Sequence, residues 1–475
     1  MPGLGSRIGA TLHLPAQRGK RLAVVTAVLL LASGAGIGVG LGAPVLARHL
    51  GAVPAIAPPP APVIPHPALR PAAVDGLAPT SSGVSAVLAP LVAAGGLGRL
   101  SGQVVDPATG MVLWQRDPAA ALVPGSTAKL LTCAAALLAL DHQAQLHTTV
   151  LAGPEPGTVV LLGGGDPTLS AAKPGTVTGY PGAARLDDLA ARVRAAAPGP
   201  VRRVLVDVNR YAGDALAPGW LPGDVAGGYI APIEPVMLDG GRAVPTQEVS
   251  PRAPEPATAA ARELAHRLGA DPGTVEFGAA PPGAAVLGDV SSPPVRDLIA
   301  TVLSRSDNVL AEALAREVAR ATGAQPSFSG AAQAVLTVLR DHGFDVSRVT
   351  LMDGSGLSVR DAVPATLLTD LLAAAAAPDE SQQRTAALRP LLVGLPVAGS
   401  SGTLADRYDG PTAGGRGWVR AKTGTLTGVN SLAGTVLDVE GRVLVFAWVS
   451  NGPHPASARP RLDALAAQLR SCGCR

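Results

Sequence analysis

The stretch 124-PGSTAKLLTCAAALLAL-140 places a serine and a lysine three residues apart at the start of a long apolar run. The chain contains 38 lysines and arginines together, and its lysines are Lys20, Lys129, Lys173 and Lys422. Of the two cations, only lysine readily loses its proton and acts as a base, because the pKa of arginine is too high. A lysine in this arginine-rich chain is therefore a modest indication of chemistry.

Ser126 and Lys129 would share one face of a helix that begins here, with Cβ atoms about 5–6 Å apart. The N–H groups at the start of a helix favour negative charge nearby, which suits a serine nucleophile with a lysine base. The lysine must be neutral to accept a proton, so burial or a second cation must lower its pKa. The spacing alone is weak evidence, since Ser170 and Lys173 repeat it directly before Pro174, and an ordinary helix start is the alternative.

A second motif is Ser306-Asp307-Asn308, within 301-TVLSRSDNVLAEAL-314. Ser306 and Asn308 project together only in a loop or tight turn. There the serine could pass a proton to a leaving nitrogen, and the asparagine could orient the lysine and a substrate amide. The alternative is a helix cap, which these residue types also supply.

A third motif is Lys422-Thr423-Gly424-Thr425, in a run that we predict to be a strand entering a hairpin. A glycine in a strand lets a ligand approach the backbone, and Lys422 and Thr423 could hold a substrate carboxylate. The N–H of Thr425 could contribute to an oxyanion hole. The alternative is an ordinary strand end.

Strand patterns occur at both ends of the folded part of the chain. Residues 100–106 and 111–115 predict one hairpin, residues 430–451 predict another, and residues 457–471 predict an amphipathic helix. The two ends could therefore meet in one antiparallel sheet, with the middle of the chain inserted. In that middle part the pattern predicts strands at 158–166 and 201–208 and helices at 126–140, 186–196, 256–269 and 295–321.

The N-terminal region carries a signal for the membrane. Residues 22–47 have no charge and are long enough to cross a bilayer. Cations precede this segment, so we predict a cytoplasmic tail at 1–21 and an extracytoplasmic catalytic part. A cleaved signal peptide, which would give a secreted protein, is the alternative, because Val45-Leu46-Ala47 is an acceptable cleavage site. Residues 48–75 predict an extended Pro-rich linker.

Composition excludes some other classes. A net charge of +3, without a basic block interleaved with aromatics, argues against nucleic-acid binding. Three cysteines make neither a disulfide framework nor a zinc site. We expect Cys133 to be a buried small hydrophobe and Cys472 and Cys474 to lie in a frayed tail.

The motifs occur together in the order S-x-x-K, S-x-N, K-T-G, which is typical of β-lactamases and penicillin-binding proteins. Over roughly residues 80–475, the chain resembles the low-molecular-mass penicillin-binding proteins of the D-alanyl-D-alanine carboxypeptidase/endopeptidase family. The further stretches that carry this resemblance are 106-DPATGMVL-113, 161-LLGGGDPTLS-170, 352-MDGSGLS-358 and 395-LPVAGSSGTLADR-407.

The resemblance implies the α/β (α+β) penicillin-recognising serine-enzyme fold, an antiparallel sheet flanked by helices. It implies a catalytic domain at 76–150 plus 285–475 and an inserted domain at 151–284. We expect the insert to be short, because little strand pattern follows 236-VMLDGGR-242. A short insert would bear on the cleavage of crosslinks more than on the core chemistry.

The resemblance also implies an activity: acylation of a serine by peptidoglycan stem peptides, with β-lactams as inhibitors and no metal or cofactor. The implied catalytic roles are Ser126 as nucleophile, Lys129 as its base, Ser306 as proton relay and Asn308 as orienting group. Lys422 and Thr423 would hold the substrate carboxylate, and the N–H groups of Ser126 and Thr425 would form the oxyanion hole. The substrate-binding residues are then Lys422, Thr423, Gly424 and Thr425.

Several rival classes lack their own signals. A class A β-lactamase needs a Glu-x-x-Leu-Asn loop between the last two motifs, and residues 309–421 contain none. A Ser-His-Asp hydrolase would carry G-x-S-x-G, and a zinc carboxypeptidase would carry clustered His and Glu; neither is present. An inactive peptidoglycan-binding envelope protein remains an alternative, although such a relic would lose its reactive residues.

Overall fold

The computed structural model describes residues 77–379 and 381–475, which belong to one unit, Arg70–Arg475. The strands are β1 Arg99–Asp106, β2 Met111–Arg116, β3 Gln145–Ala152, β4 Thr158–Leu162, β5 Arg203–Asp207, β6 Glu276–Phe277, β7 Val286–Pro294, β8 Val419–Leu426, β9 Val429–Leu437 and β10 Val443–Asn451. The helices are α1 Ser81–Ala93, α2 Lys129–Ala139, α3 Leu186–Ala196, α4 Gly223–Ala226, α5 Pro256–Leu268, α6 Val295–Arg305, α7 Asn308–Ala321, α8 Phe328–Asp341, α9 Ala365–Ala376, α10 Gln383–Leu388, α11 Pro390–Gly394 and α12 Pro455–Arg470.

The predicted tail at 1–21, the anchor or signal at 22–47 and the linker at 48–75 all lie outside the described residues. Within the described ranges, no helix combines the length and the apolar character needed to cross a membrane. The membrane anchor therefore stays a prediction.

One sheet joins the two ends of the described part of the chain, in the order β2-β1-β10-β9-β8, with every neighbouring pair antiparallel. Both predicted terminal hairpins are confirmed. The strand β10, VLVFAWVSN, is apolar on both faces, so this sheet has a core on each side. Successive side chains of a strand point to opposite faces. Phe446 and Trp448 pack in the core cluster that includes α1 and α12, whereas Val445 and Ala447 pack in the cluster that includes α2 and α9.

A second sheet has the order β6-β5-β4-β3-β7. The β4–β5 and β5–β6 pairs are parallel, and β3 pairs antiparallel with both β4 and β7. The helix α3 connects β4 to β5, as the pattern at 186–196 predicted. The division into catalytic and inserted domains stays a prediction, and β3 spans its first boundary at residues 150 and 151.

Two predicted helices differ in ways that shape the site. The segment 126–140 begins as a 3-10 turn, Gly125–Ala128, and becomes α-helical only from Lys129. The segment 295–321 forms two helices, α6 and α7, because Ser306 takes a left-handed backbone conformation with φ 59°. The break follows from the Ser-Asp-Asn sequence, whose residue types favour caps and turns over helix interiors.

The C-terminal cysteines correct one prediction. Cys133 is buried, as expected, but Cys472 and Cys474 form a disulfide and are buried as well. The Cys474 carbonyl accepts a hydrogen bond from the Thr80 N–H at 2.7 Å, next to the start of α1. The prediction of a frayed tail was therefore wrong, because the hydrogen bond to Thr80 and the burial of both cysteines hold this segment in place.

Candidate active site

The first motif lies where the 3-10 turn meets α2. Lys129 is the first residue of α2 and is fully buried, and its Nζ lies 2.9 Å from the Ser126 Oγ. Gly125, directly before the serine, has φ 54°, a left-handed conformation that glycine adopts without steric cost. The sharp turn at Gly125 thus presents Ser126 above the lysine amine.

Three oxygen acceptors surround the Lys129 amine. Besides Ser126, they are the Asn308 Oδ1 at 2.5 Å and the Ser355 carbonyl at 2.7 Å. An amide oxygen and a carbonyl oxygen can only accept, so they hold two N–H groups of the amine. When Lys129 is neutral, its lone pair is left to face the Ser126 hydroxyl. The arrangement therefore aims the lysine as a base at the serine.

The second motif acts both as a cap and as part of the site. The Asp307 carboxylate accepts the Leu310 N–H at 2.9 Å and so caps α7, which confirms the cap interpretation. On either side of it, the Asn308 side chain binds Lys129, and the Ser306 Oγ accepts a hydrogen bond from the Lys422 Nζ at 2.8 Å. One short loop thus delivers two polar side chains to the site.

A buried ion pair fixes this loop from the middle of the chain. Arg242 donates to the Asp307 carboxylate at 2.6 Å, and the Tyr180 hydroxyl donates to it at 2.9 Å. Burial alone would raise the pKa of Asp307, but the Arg242 guanidinium, the Leu310 N–H and the charge of Arg252 together outweigh it and bring that pKa down to about 2. Asp307 is therefore charged throughout the physiological range.

The third motif lies on β8, at the edge of the first sheet. The Ala421 N–H donates to the Pro396 carbonyl at 3.0 Å, on the side of β8 that faces away from β9. Backbone groups alternate sides along a strand, so Thr423 and Thr425 face the same way as Ala421. The Thr425 N–H accordingly points out from the sheet edge.

Glycines let this edge approach the serine turn closely. A Cβ on Gly424 would lie 2.1 Å from the Ser431 Oγ and 3.0 Å from the Ser126 nitrogen. A Cβ on Gly125 would lie 3.2 Å from the Thr425 nitrogen. The backbone nitrogens of Ser126 and Thr425 therefore belong to one small region, as two donors of an oxyanion hole require.

Burial changes the acid–base behaviour of both lysines. It lowers the pKa of Lys129 to about 8, against the opposing effect of the Asp353 and Glu312 carboxyl groups. Burial and then the charge of Lys129 lower the pKa of Lys422 well below its ordinary value. Burial is therefore the effect that supplies the lowered pKa of Lys129 for which the sequence left two possible causes.

Hydrogen bonds connect the residues that the sequence singled out in the first two motifs and Lys422. The repeated spacing at Ser170 and Lys173 makes no such pair, since it lies outside any helix and Lys173 is exposed. Among the described residues, no group of three or more His, Cys, Asp or Glu side chains could hold a metal ion.

Sequence reasoning missed several neighbours of the site. Thr403 meets the Thr423 hydroxyl at 2.8 Å, and the Tyr229 carbonyl accepts from the Asn308 side chain at 2.9 Å. Ser355 and Asp353 lie in 352-MDGSGLS-358, a stretch quoted above only for its resemblance. Its acidic residue and two glycines were the available signal for a built turn.

Comparisons with known proteins identify the family of the chain. Residues 84–253 and 242–471 match the D-Ala-D-Ala carboxypeptidase 3 (S13) family. The chain is 46% identical over 462 residues to carboxypeptidase DacB of Mycolicibacterium smegmatis, covering 96% of this chain and 98% of that one. It is 47% identical over 430 residues to carboxypeptidase Rv3627c of Mycobacterium tuberculosis, covering 90% and 92%.

A solved structure supports the fold assignment. Penicillin binding protein 4 (dacB) from Haemophilus influenzae matches with a TM-score of 0.67 at 20% identity, over 82% of this chain and 99% of that one. This match confirms the predicted fold class. The chain therefore belongs to the D-Ala-D-Ala carboxypeptidase 3 (S13) family of penicillin-recognising serine enzymes.

Proposed function

We propose that this protein trims peptidoglycan stem peptides by forming an acyl-enzyme on Ser126. Membership of the family makes the chain a serine-type D-Ala-D-Ala carboxypeptidase and favours this activity over a β-lactamase. The observation that carries the residue assignment is the Ser126–Lys129–Asn308 contact, in which the lysine amine has one acceptor that can also give up a proton.

Acylation begins with the Ser126 Oγ attacking the carbonyl of the penultimate D-Ala. The Lys129 amine takes the hydroxyl proton, and the N–H groups of Ser126 and Thr425 stabilise the oxyanion. As the C–N bond breaks, the leaving amine needs a proton. Ser306 accepts from the Lys422 Nζ, so it can donate its own proton to the leaving nitrogen and take a proton from the Lys422 ammonium in its place. Water then attacks the ester and releases the shortened peptide.

The substrate carboxylate would adjust the base as well as bind. A carboxylate held by Lys422 and Thr423 favours the charged form of Lys422. The positive charge on Lys422 in turn disfavours a second charge on Lys129. Binding of the correct substrate therefore keeps Lys129 in the neutral form that can accept the serine proton.

We place the reaction outside the cytoplasm, with residues 22–47 as membrane anchor or as a cleaved signal. The observations behind this are the uncharged segment, the preceding cations and the cell-wall substrate of the family. β-Lactams are proposed as inhibitors that acylate the same serine, and a related penicillin binding protein 4 from Haemophilus influenzae has been solved with a β-lactam. No metal or cofactor enters this mechanism.

The test is the intact mass of residues 75–475 after incubation with benzylpenicillin, followed over hours beside Ser126→Ala. A persistent adduct of one drug mass, absent from the variant, is expected, together with D-Ala release from a pentapeptide. If neither protein forms an adduct and the drug stays intact, the inactive envelope protein is the better description. If the drug is consumed without a lasting adduct, the β-lactamase alternative is correct.

A further inference from the structure

The turn 353-DGSGLS-358 is organised around the carboxylate of Asp353, whose side chain is buried. One oxygen accepts the N–H groups of Ser355 and Gly356 at 3.1 and 2.7 Å. The other accepts the Ser358 N–H and the Trp220 indole N–H, both at 2.7 Å. A carboxylate that accepts four N–H groups fixes the course of the backbone through this turn.

The same turn is attached to the catalytic helices. The Glu312 carboxyl on α7 accepts the Gly354 N–H at 2.8 Å, and the Thr132 hydroxyl on α2 donates to the Gly354 carbonyl at 2.6 Å. Gly356, with φ 76°, lies against the serine turn, where an added Cβ would be 2.1 Å from the Gly125 carbonyl. The turn therefore has little freedom to shift relative to the serine and the lysine.

The turn places the Ser355 carbonyl next to Lys129, where it accepts a hydrogen bond from the Lys129 Nζ at 2.7 Å. Together with Asn308 it determines where the lone pair of the neutral amine points. We propose that Asp353 is a positioning residue for acylation, because it shapes the turn that presents this carbonyl to Lys129. Its negative charge also favours the protonated form of Lys129. This inference rests on the proposed function.

Other charged or titratable groups also affect the pKa of Lys129, and their protonation and pairing leave Asp353 as the main negative charge near it. The charged or titratable neighbours are Cys133 on its own helix, Asp307 and Glu312 from the second motif and α7, Asp353 in the turn, and Lys422 on β8. Arg242 neutralises Asp307. Burial, followed by the repulsion of Asp353, raises the pKa of Glu312 to about 8, so Glu312 is largely protonated at neutral pH. Asp353 is then the main opposing charge.

The experiment is the acylation rate by benzylpenicillin across pH 5 to 9 for the wild type and Asp353→Asn. The amide cannot accept all four N–H groups, so the maximal rate should fall at least about tenfold. Because the loss of Asp353 would also lower the pKa of Glu312 and let it ionise beside Lys129, both proteins in this comparison carry Glu312→Gln. Loss of the negative charge then lowers the pKa of Lys129, so the acid limb of the profile should move about one pH unit lower. A purely structural role would reduce the rate without moving the limb, and that result would overturn the inference.

Asp361→Asn is the matched control in the same region. Burial and the nearby Asp353 raise the pKa of Asp361 to about 10, so this carboxyl is already neutral in the assay range and the substitution removes no charge. The acid limb of Asp361→Asn should therefore coincide with that of the wild type. A limb displaced as far as in Asp353→Asn would refute a specific effect of Asp353.

A second pair of variants decides the question if Asp353→Asn does not fold. Thr132→Val removes the hydroxyl that holds the Gly354 carbonyl, whereas Thr132→Ser keeps it. Thr132→Val should acylate at least about tenfold more slowly at unchanged drug affinity, and Thr132→Ser should be close to wild type. Equal rates for the two would overturn the inference. If the wild type itself is not acylated, the proposed function fails first, and the inference fails with it.

Discussion

Acylation of Ser126 should follow the titration of Lys129. With its pKa at about 8, roughly one tenth of the lysine is neutral at pH 7 and roughly one hundredth at pH 6. The second-order rate of acylation by benzylpenicillin reports the free enzyme, so it should fall about tenfold for each pH unit below 8. Rapid quenching followed by intact-mass measurement from pH 5 to 9 gives this rate directly.

Saturating drug provides a separate test of the second lysine. The drug carboxylate, held at Lys422, favours the charged form of that residue and so disfavours charge on Lys129. The acid limb of the first-order rate in the complex should therefore lie at lower pH than the limb of the second-order rate. If the two limbs coincide, the charge of Lys422 does not affect the pKa of Lys129.

Lys129→Arg is the control for the neutral-lysine role. Arginine keeps a cation but cannot lose its proton in this range, so acylation should be slow at every pH and show no limb near 8. A second-order rate for the wild type that stays constant from pH 8 down to about 5 would refute the assignment of Lys129 as the base.

Two further predictions concern the residues that support the site. Arg242→Met leaves the Asp307 carboxylate buried without its partner, so it should lower the free energy of unfolding by about 3–5 kcal/mol in urea titrations. The control Arg416→Met, at an exposed ion pair, should change it by less than about 1 kcal/mol, and equal effects of the two variants would contradict a stabilising role of the buried pair. Gly424→Ala places a Cβ 2.1 Å from the Ser431 Oγ, so acylation by penicillin should be nearly lost. Circular dichroism should show that the variant remains folded. Acylation at the wild-type rate would contradict the close approach of β8 to the serine turn.

Local patterns carried much of the fold. The continuous apolar runs in β10 and after Lys129 predicted their elements correctly, because these segments are buried on nearly all sides. The break between α6 and α7 was less accessible. It depends on Ser306 adopting a left-handed conformation that Arg242, from a distant part of the chain, helps to hold through Asp307.

The sequence by itself determined which residue types are available for chemistry: a serine and a lysine one helical turn apart, a Ser-x-Asn loop and a Lys-Thr-Gly strand. Only the tertiary structure distinguished Ser126–Lys129 from the same spacing at Ser170 and Lys173. The amine of Lys129 is buried and has three oxygen acceptors around it, whereas Lys173 is exposed. The tertiary structure also brought in Asp353, whose effect on the lysine depends on distance and desolvation. Neither quantity is written in a local sequence pattern, since both arise from segments that meet only when the chain has folded.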